Sequence, residues 1–328
     1  MIYYRKTLFS RGSKLTADHH NYRKRKDLMM KQAGFETESR FMKFFRKLQI
    51  DSIAWSLRRV YCPVSKEALV LEVGSGASPY FRSNVLCDAY EETQERFFTP
   101  LVHDRPTVLA FVENLPFRDD AFDFVIASHV LEHSIDPERF LSELQRVARA
   151  GYIEVPDAFM ERLTHYGFHR LEISDGPEGL IIRKKKNFIQ DEEVVALFYN
   201  KARPIFPKWV ARFPFQFHVR YYWSKDTGGI SYKVLNPECD SSWDAPQLPA
   251  PLEEPRTSLT TRFKQKILAY VRRYLSQSFR NQSIDLLSLF RCPQCFSVEY
   301  KKDDLGKIAV CIKCGNSHPI YMPAQSSQ

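Results

Sequence analysis

The sequence predicts an α/β fold: a doubly wound, mostly parallel sheet with antiparallel hairpin additions, followed by a small C-terminal ribbon. Three observations predict it. Between Ala68 and Pro156, short apolar runs alternate with helix-periodic segments, the pattern of strands joined by crossover helices. A glycine turn, Gly74-Ser75-Gly76, comes directly after the first run. Two Cys-x-x-Cys pairs stand near the C-terminus, while the other three cysteines, Cys62, Cys87 and Cys239, are scattered.

Bulk properties set the frame. At 328 residues and 44% hydrophobic, the chain can bury a sizeable core, and wholesale disorder is excluded. No stretch approaches the ~20 apolar residues of a membrane span, and no signal peptide is legible at the N-terminus, so the expected address is the cytoplasm. Residues 1–60 hold 15 Lys/Arg against 5 Asp/Glu, and the rest of the chain, out of a total of +9, is close to neutral. A basic arm of this kind suits phosphate-bearing partners, nucleic acid or anionic lipid among them, and equally a solvated tail.

Element by element, residues 37–60 read as one helix with Phe41, Phe44, Phe45 and Leu48 on one core-facing stripe, a spacing that also fits a membrane surface. Strands are expected at 68–73, 84–87, 107–112, 122–128 and 151–155, with a helix at 137–148 carrying Phe140, Leu141, Leu144 and Val147 on one face. Past Pro156 the texture turns antiparallel. Residues 169–174 and 179–184 flank Asp175-Gly176-Pro177-Glu178 as one hairpin, and residues 215–223 and 230–235 form a second. The expected organisation is a basic arm and helix (1–60), a catalytic domain (61–235), a proline-rich linker (236–257), a basic helix (258–283) and the ribbon (284–328).

The glycine turn gains meaning from the residues downstream of it. Glycines there let the backbone bend and approach a ligand at the carboxyl end of the sheet. Asp88 ends the second strand, sixteen residues after Glu72, where a carboxylate can accept both hydroxyl protons of a ribose. A dinucleotide fold would need a third glycine and a helix N-terminus on the pyrophosphate. Here Gly76 is succeeded by Ala77-Ser78-Pro79.

The ordered series Leu71-Glu72-Val73-Gly74-Ser75-Gly76, Asp88, Leu115-Pro116-Phe117, Phe122-Asp123-Phe124-Val125 and Val130-Leu131-Glu132-His133 resembles the class I S-adenosylmethionine-dependent methyltransferases of the type 11 kind, over residues 68–158. The resemblance implies a Rossmann-like fold with S-adenosylmethionine as cofactor. It places Glu72 under the loop, facing the amino end of the methionine moiety or a water bound to it, with Gly74, Ser75 and Gly76 along that moiety. It puts Asp88 on the ribose, Val112 and Glu113 at the adenine edge, and His129 near the sulfonium. Two departures stand out. Ser78-Pro79 leaves little room for a first crossover helix, and Phe111 replaces the family's frequent Asp for the adenine amine, where a ring can pack on the base instead.

Methyl transfer needs alignment, desolvation and, for a protonated acceptor, a base. His129, His133 and His169 are the base candidates, with His165 beside them, because imidazole titrates near neutrality. Ser128-His129-Val130-Leu131 is not the Asn/Asp-Pro-Pro-aromatic tetrad that grips planar amides and amines, which favours an oxygen acceptor on a glycan, a lipid-linked compound or another small metabolite. Glu154-Val155-Pro156 with Phe168-His169-Arg170 resembles methyltransferases associated with bacterial surface glycans. An RNA methyltransferase and a non-catalytic cofactor-binding module are the alternatives, and oligomeric state is not legible.

Cys292, Cys295, Cys311 and Cys314 form two knuckles fifteen residues apart. Four thiolates close a tetrahedral shell, so the expected ligand is a structural Zn2+. Strands are expected at 298–300 and 307–310. Residues 284–322, with Leu286-Leu287-Ser288-Leu289-Phe290-Arg291-Cys292-Pro293 and His318-Pro319-Ile320, resemble the small zinc-binding activator of several translation-related methyltransferases. That resemblance implies a ribbon covering an apolar face of the catalytic domain in cis.

Overall fold

The computed structural model describes residues 34–164, 166–188, 191–245, 270 and 276–322. Most of the basic arm, His165, the later part of the linker and most of the basic helix lie outside the described residues.

The chain opens with α1 (Arg40–Lys47) and α2 (Asp51–Leu57). Five parallel strands come next: β1 (Val70–Val73), β2 (Val85–Asp88), β3 (Thr107–Leu109), β4 (Phe122–Ser128) and β5 (Ala148–Pro156). Helix α3 (Pro137–Val147) crosses from β4 to β5 and buries Phe140, Leu141, Leu144 and Val147, as its apolar spacing predicts. Asp136 caps it, accepting from the Arg139 N–H at 3.0 Å, and Pro137 occupies the first turn, where its missing N–H costs nothing. After α4 (Ala158–Thr164) come β6 (Leu171–Gly176) and β7 (Gly179–Lys184), a hairpin at the expected turn. Beyond them lie α5 (Glu192–Lys201), α6 (Phe206–Arg212), α7 (Pro214–Phe217), β8 (His218–Ser224) and β9 (Tyr232–Val234). The C-terminal region holds α8 (Ser278–Gln282) and the strands β10 (Tyr300–Lys302), β11 (Ile308–Cys311) and β12 (Ser317–Tyr321).

The main sheet has nine strands in the order β10-β11-β12-β3-β2-β1-β4-β5-β8. The order reverses at β1, flanked by β2 and β4. The switch point of an open α/β sheet, where ligands bind, therefore lies at the end of β1. Both faces of β1 and β2 are buried, which is why they read as continuous apolar runs rather than alternating ones.

Three expectations are corrected. Residues 215–223 and 230–235 do not pair. β8 joins β5 antiparallel, with Tyr152 opposite Tyr222, while β9 joins β7 parallel in a separate three-stranded sheet. The turn between them is local, but Gly228 (φ 101°) and Gly229 (φ 78°) steer the chain away from β8. Residues 37–60 form two helices, because Gln49 adopts φ 59° and breaks the helix after Lys47. The stripe on the first of them is not core: Phe41, Phe44 and Leu48 are 72%, 55% and 51% exposed, and the buried residue is Met42 on another face. The third strand stops at Leu109, and Val112–Asn114 is a 3-10 turn. No helix separates β1 from β2, in keeping with the Ser78-Pro79 departure.

The ribbon shares the core of the main sheet. β12 pairs antiparallel with β3, Ile320 opposite Val108 and Tyr321 opposite Thr107. Leu286, Phe290, Ala309 and Ile320 are buried in one cluster with Val108, Phe117 and Phe122. Phe290 stands edge-on to Phe117, centroids 5.7 Å apart. Around them, the Arg118 N–H donates to Leu289 O at 2.8 Å and the Arg291 N–H to Pro116 O at 3.1 Å. Upstream, α8 is fastened to the loops before β1 and β2, with Asn84 Nδ2 donating to Asn281 Oδ1 at 2.8 Å and Arg280 NH1 to Lys66 O at 2.7 Å.

Candidate active site

The loop after β1 turns through two left-handed glycines, Gly74 (φ 63°) and Gly76 (φ 55°). A Cβ on Gly74 would sit 2.6 Å from Val130 Cβ, so any side chain there collides with the turn after β4. Gly76 has its N–H on Asp88 Oδ2 at 2.9 Å, which ties the loop to the end of β2. The other carboxylate oxygen, Oδ1, accepts from Tyr90 N–H at 3.2 Å and Arg96 NH1 at 3.1 Å.

These residues wall an open cleft at the carboxyl end of β1. Gly74, Gly76, Asp88, Val112, Glu113, His129 and His133 line it, as do Tyr90, Arg96 and Phe111. Phe111 is 54% exposed and stands edge-on to Tyr90, centroids 5.4 Å apart. This aromatic corner beside Val112 offers a face to a planar base where a carboxylate is missing.

Glu72 and Ser75 are not in the wall. Glu72 is buried beneath the loop and accepts from Tyr80 N–H at 2.8 Å and Ser83 Oγ at 2.5 Å. Burial pushes its carboxyl up against the pull of Arg59, Ser83 and the Tyr80 N–H. It braces the helix-less connection to β2. Ser75 is 4% exposed and its Oγ has no hydrogen-bond partner.

The histidines divide in role. His129 sits at φ 57° at the end of β4, with Nδ1 3.5 Å from Glu132 Oε1 and Nε2 3.4 Å from Glu154 Oε1. Burial opposes its charge, but the two carboxylates outweigh it and hold the imidazole up at about 9. His129 is thus a cation at neutral pH. In that form it can stabilise charge. Glu154 is fully buried and held ionised, despite burial, by His129 and by both prongs of Arg58, at 2.7 and 2.8 Å. Arg58 in turn lies 3.7 Å over Trp55, so α2 closes this side of the site. His133 stacks on Phe168 with its Nδ1 3.1 Å from Glu95 Oε2; burial lowers its pKa, but Glu95 and Glu132 raise it overall. His169 is buried behind it, 4.7 Å from the His133 ring, with Nδ1 2.6 Å from Glu161 Oε2.

Sequence reasoning missed Tyr90, Glu95 and Arg96 in the wall, and Arg58 and Glu161 around the histidines. Tyr90, two residues past Asp88, could have been found from its place; the others carry no local signal.

In the ribbon the two knuckles repeat one geometry. Phe296 N–H donates to Cys292 O and Gly315 N–H to Cys311 O, both at 2.9 Å; Cys292 N–H donates to Ser297 O and Cys311 N–H to Asn316 O, both at 2.8 Å. The four sulfurs lie within 4.8 Å of one another, with Cys292 to Cys314 and Cys295 to Cys311 each 3.5 Å. A tetrahedral shell with metal–sulfur bonds of ~2.3 Å places its sulfurs about 3.8 Å apart, so the residues fit Zn2+. Burial raises the Cys292 thiol, but the N–H groups of Cys295 and Gln294 more than offset it and bring it down to about 6.

Residues 71–153 match a family described as "Methyltransferase domain". Among solved structures, the chain is similar to the YcgJ protein of Bacillus subtilis, at 23% identity over 32% of this chain and 50% of that one, TM-score 0.24. It is similar to a chain of the complex between the Haloferax volcanii Trm112 methyltransferase activator and a methyltransferase, at 18% identity over 41% and 74%, TM-score 0.28. A third is an S-adenosylmethionine-dependent methyltransferase from Thermotoga maritima, at 23% identity over 36% and 56%, TM-score 0.25. The chain thus spans half the length of the Bacillus protein and just over half of the Thermotoga one. Between β1 and β5, therefore, the match to a methyltransferase domain falls on a mixed α/β fold with a mostly parallel central sheet.

Proposed function

We propose that this protein is an S-adenosylmethionine-dependent methyltransferase that methylates an oxygen atom of a glycan, a lipid-linked compound or another small metabolite, with a structural zinc ribbon built into its sheet. The observation that carries the reading is the Gly76–Asp88 pairing at the switch point of the sheet, beside the aromatic corner of Tyr90 and Phe111. It offers a carboxylate for a ribose and a ring face for an adenine. No helix starts after the glycine loop, so the site lacks the helix N-terminus that a dinucleotide's pyrophosphate needs.

Bound S-adenosylmethionine supplies a methyl group already activated on a sulfonium. The chain's own residues orient and desolvate. Asp88 fixes the ribose end, and Gly74 and Gly76 let the backbone approach the methionine end. His129, held as a cation by Glu132 and Glu154, tunes charge at the mouth of β4. Zn2+ would be held by Cys292, Cys295, Cys311 and Cys314 with no open position, which makes its role structural. Pairing of β12 with β3 supports the ribbon as an in-cis cover for the sheet edge, which would otherwise offer its backbone groups to other chains.

The test is calorimetric titration with S-adenosylhomocysteine, then transfer of a labelled methyl group to fractionated cell extract. Saturable binding with label in base-labile or oligosaccharide products is expected; label confined to RNA would replace the acceptor, and no binding would remove the reading.

A further inference from the structure

Beside the cleft, Glu132, His133 and His169 bring one ligating atom each to within 4.8 Å of one another. Glu132 and His133 belong to the 3-10 turn Leu131–His133, while His169 lies just before β6. The Arg170 N–H donates to Glu132 O at 2.6 Å, so the backbone itself clasps the two segments together.

Two features of this cluster ask for a cation. Glu132 is 2% exposed, and neither carboxylate oxygen takes part in a hydrogen bond; its contact with His129 is a loose 3.5 Å. A buried carboxylate without donors is costly unless positive charge faces it; His129 faces Oε1 alone, and Oε2 has no partner. The second feature is the shell behind the imidazoles. His169 Nδ1 is engaged by Glu161 at 2.6 Å, and the other oxygen of Glu161 is anchored by buried Lys185 at 2.8 Å. His133 Nδ1 lies 3.1 Å from Glu95 Oε2, an ionic contact without hydrogen-bond geometry. A carboxylate behind one ring nitrogen keeps the proton there and leaves Nε2 with its lone pair, which is the way proteins orient metal-ligating histidines. Drawing the three atoms in to metal–ligand distances of ~2.1 Å takes side-chain movement of about 1 Å.

We propose that Glu132, His133 and His169 form a divalent transition-metal site beside the cofactor cleft, distinct from the four-cysteine ribbon. Two imidazoles and one carboxylate suit first-row ions such as Mn2+, Fe2+ or Zn2+ and leave coordination positions open. His133 lines the cleft, so those positions reach it. The consequence for catalysis rests on the methyl-transfer reading. An acceptor hydroxyl bound there releases its proton to water; its oxygen then attacks the methyl carbon as the carbon–sulfur bond breaks, the electron pair leaving with sulfur. The site thereby does without a base.

The experiment is Mn2+ titration of the full-length protein monitored by electron paramagnetic resonance, with thermal unfolding in parallel. Mn2+ prefers oxygen and nitrogen ligands over thiolates, so the ribbon does not contribute. One saturable site per chain is expected. Glu132→Gln and His169→Gln should weaken it at least tenfold, and Glu161→Gln about 10–100-fold. Mn2+ should raise the melting temperature of the parent and not that of Glu132→Gln. If Glu132→Gln does not fold, half-buried His133→Gln decides. The absence of a saturable site, or equal affinity in the parent and the folded variants, overturns the proposal. Failure of the methyl-transfer reading shows separately, as no calorimetric binding of S-adenosylhomocysteine.

Discussion

Truncating Phe290 to alanine tests whether the ribbon and the sheet are one cooperative unit. Phe290 has no exposed surface and packs its ring on Phe117, 5.7 Å away, and on Tyr300, 5.0 Å away. It also forms a β-bridge with Phe117. A buried Phe→Ala change costs about 3–5 kcal/mol, a large share of the roughly 5–15 kcal/mol that holds a typical protein folded. With a urea dependence of about 3 kcal/mol per molar for a chain of this size, the unfolding midpoint should fall by about 1–1.7 M. The reporters are already in place: Trp55, Trp209, Trp223 and Trp243 all lie outside the ribbon, so tryptophan fluorescence tracks the catalytic sheet alone. Phe296→Ala is the control. Phe296 is 64% exposed on the first knuckle, and its loss should stay within about 0.5 kcal/mol. If the tryptophan transition of Phe290→Ala stays where it is in the parent while the ribbon loses its metal, ribbon and sheet unfold independently and the shared-core argument fails.

The cleft yields further expected outcomes. Gly74→Ala should cost about 2–5 kcal/mol of stability, from left-handed backbone plus the overlap with Val130, read by urea unfolding; a neutral result would mean that the loop rearranges freely. Asp88→Ala should weaken S-adenosylhomocysteine by about 1.5–3 kcal/mol in calorimetry, the scale of a hydrogen bond to a charged group, and unchanged affinity takes Asp88 out of the site. His129 is raised from its ordinary 6.5 to about 9. Its contribution to stability is therefore complete below pH 6.5 and lost as pH rises through about 9. His129→Gln should flatten that slope between pH 6.5 and 9, and an NMR titration showing His129 near 6.5 would contradict the carboxylate contacts.

Much of the site was legible because its parts are local. The glycine turn, Asp88, Val112, Glu113 and the thiolate pairs each announce themselves within a few residues, and the structure brings Gly74, Gly76, Asp88, Val112, Glu113, His129 and His133 around one cleft. The motif places Glu72 under the loop, but its position there is the same whether it faces a ligand or braces the chain beneath. What decides is the direction of Tyr80 and Ser83, eight and eleven residues on. The exposed stripe Phe41–Phe44–Leu48 misled because periodicity defines a face but not what covers it.

The sequence by itself determined the local facts: the parallel strands, the helix that Asp136 caps, the knuckles, and the turn that only glycine allows beside Val130. These depend on neighbours within a turn or two of the chain. Tertiary structure decided what depends on distant ones. It sent β8 to β5 and β9 to β7, because strand partners are chosen by sheet edges rather than by the turn between them. It set His129 between two carboxylates, because Glu132 and Glu154 converge on it from two elements. It also made the ribbon part of the sheet, because Leu286, Phe290 and Ile320 exceed what so small a unit can bury and the open edge of β3 offered both apolar cover and backbone partners.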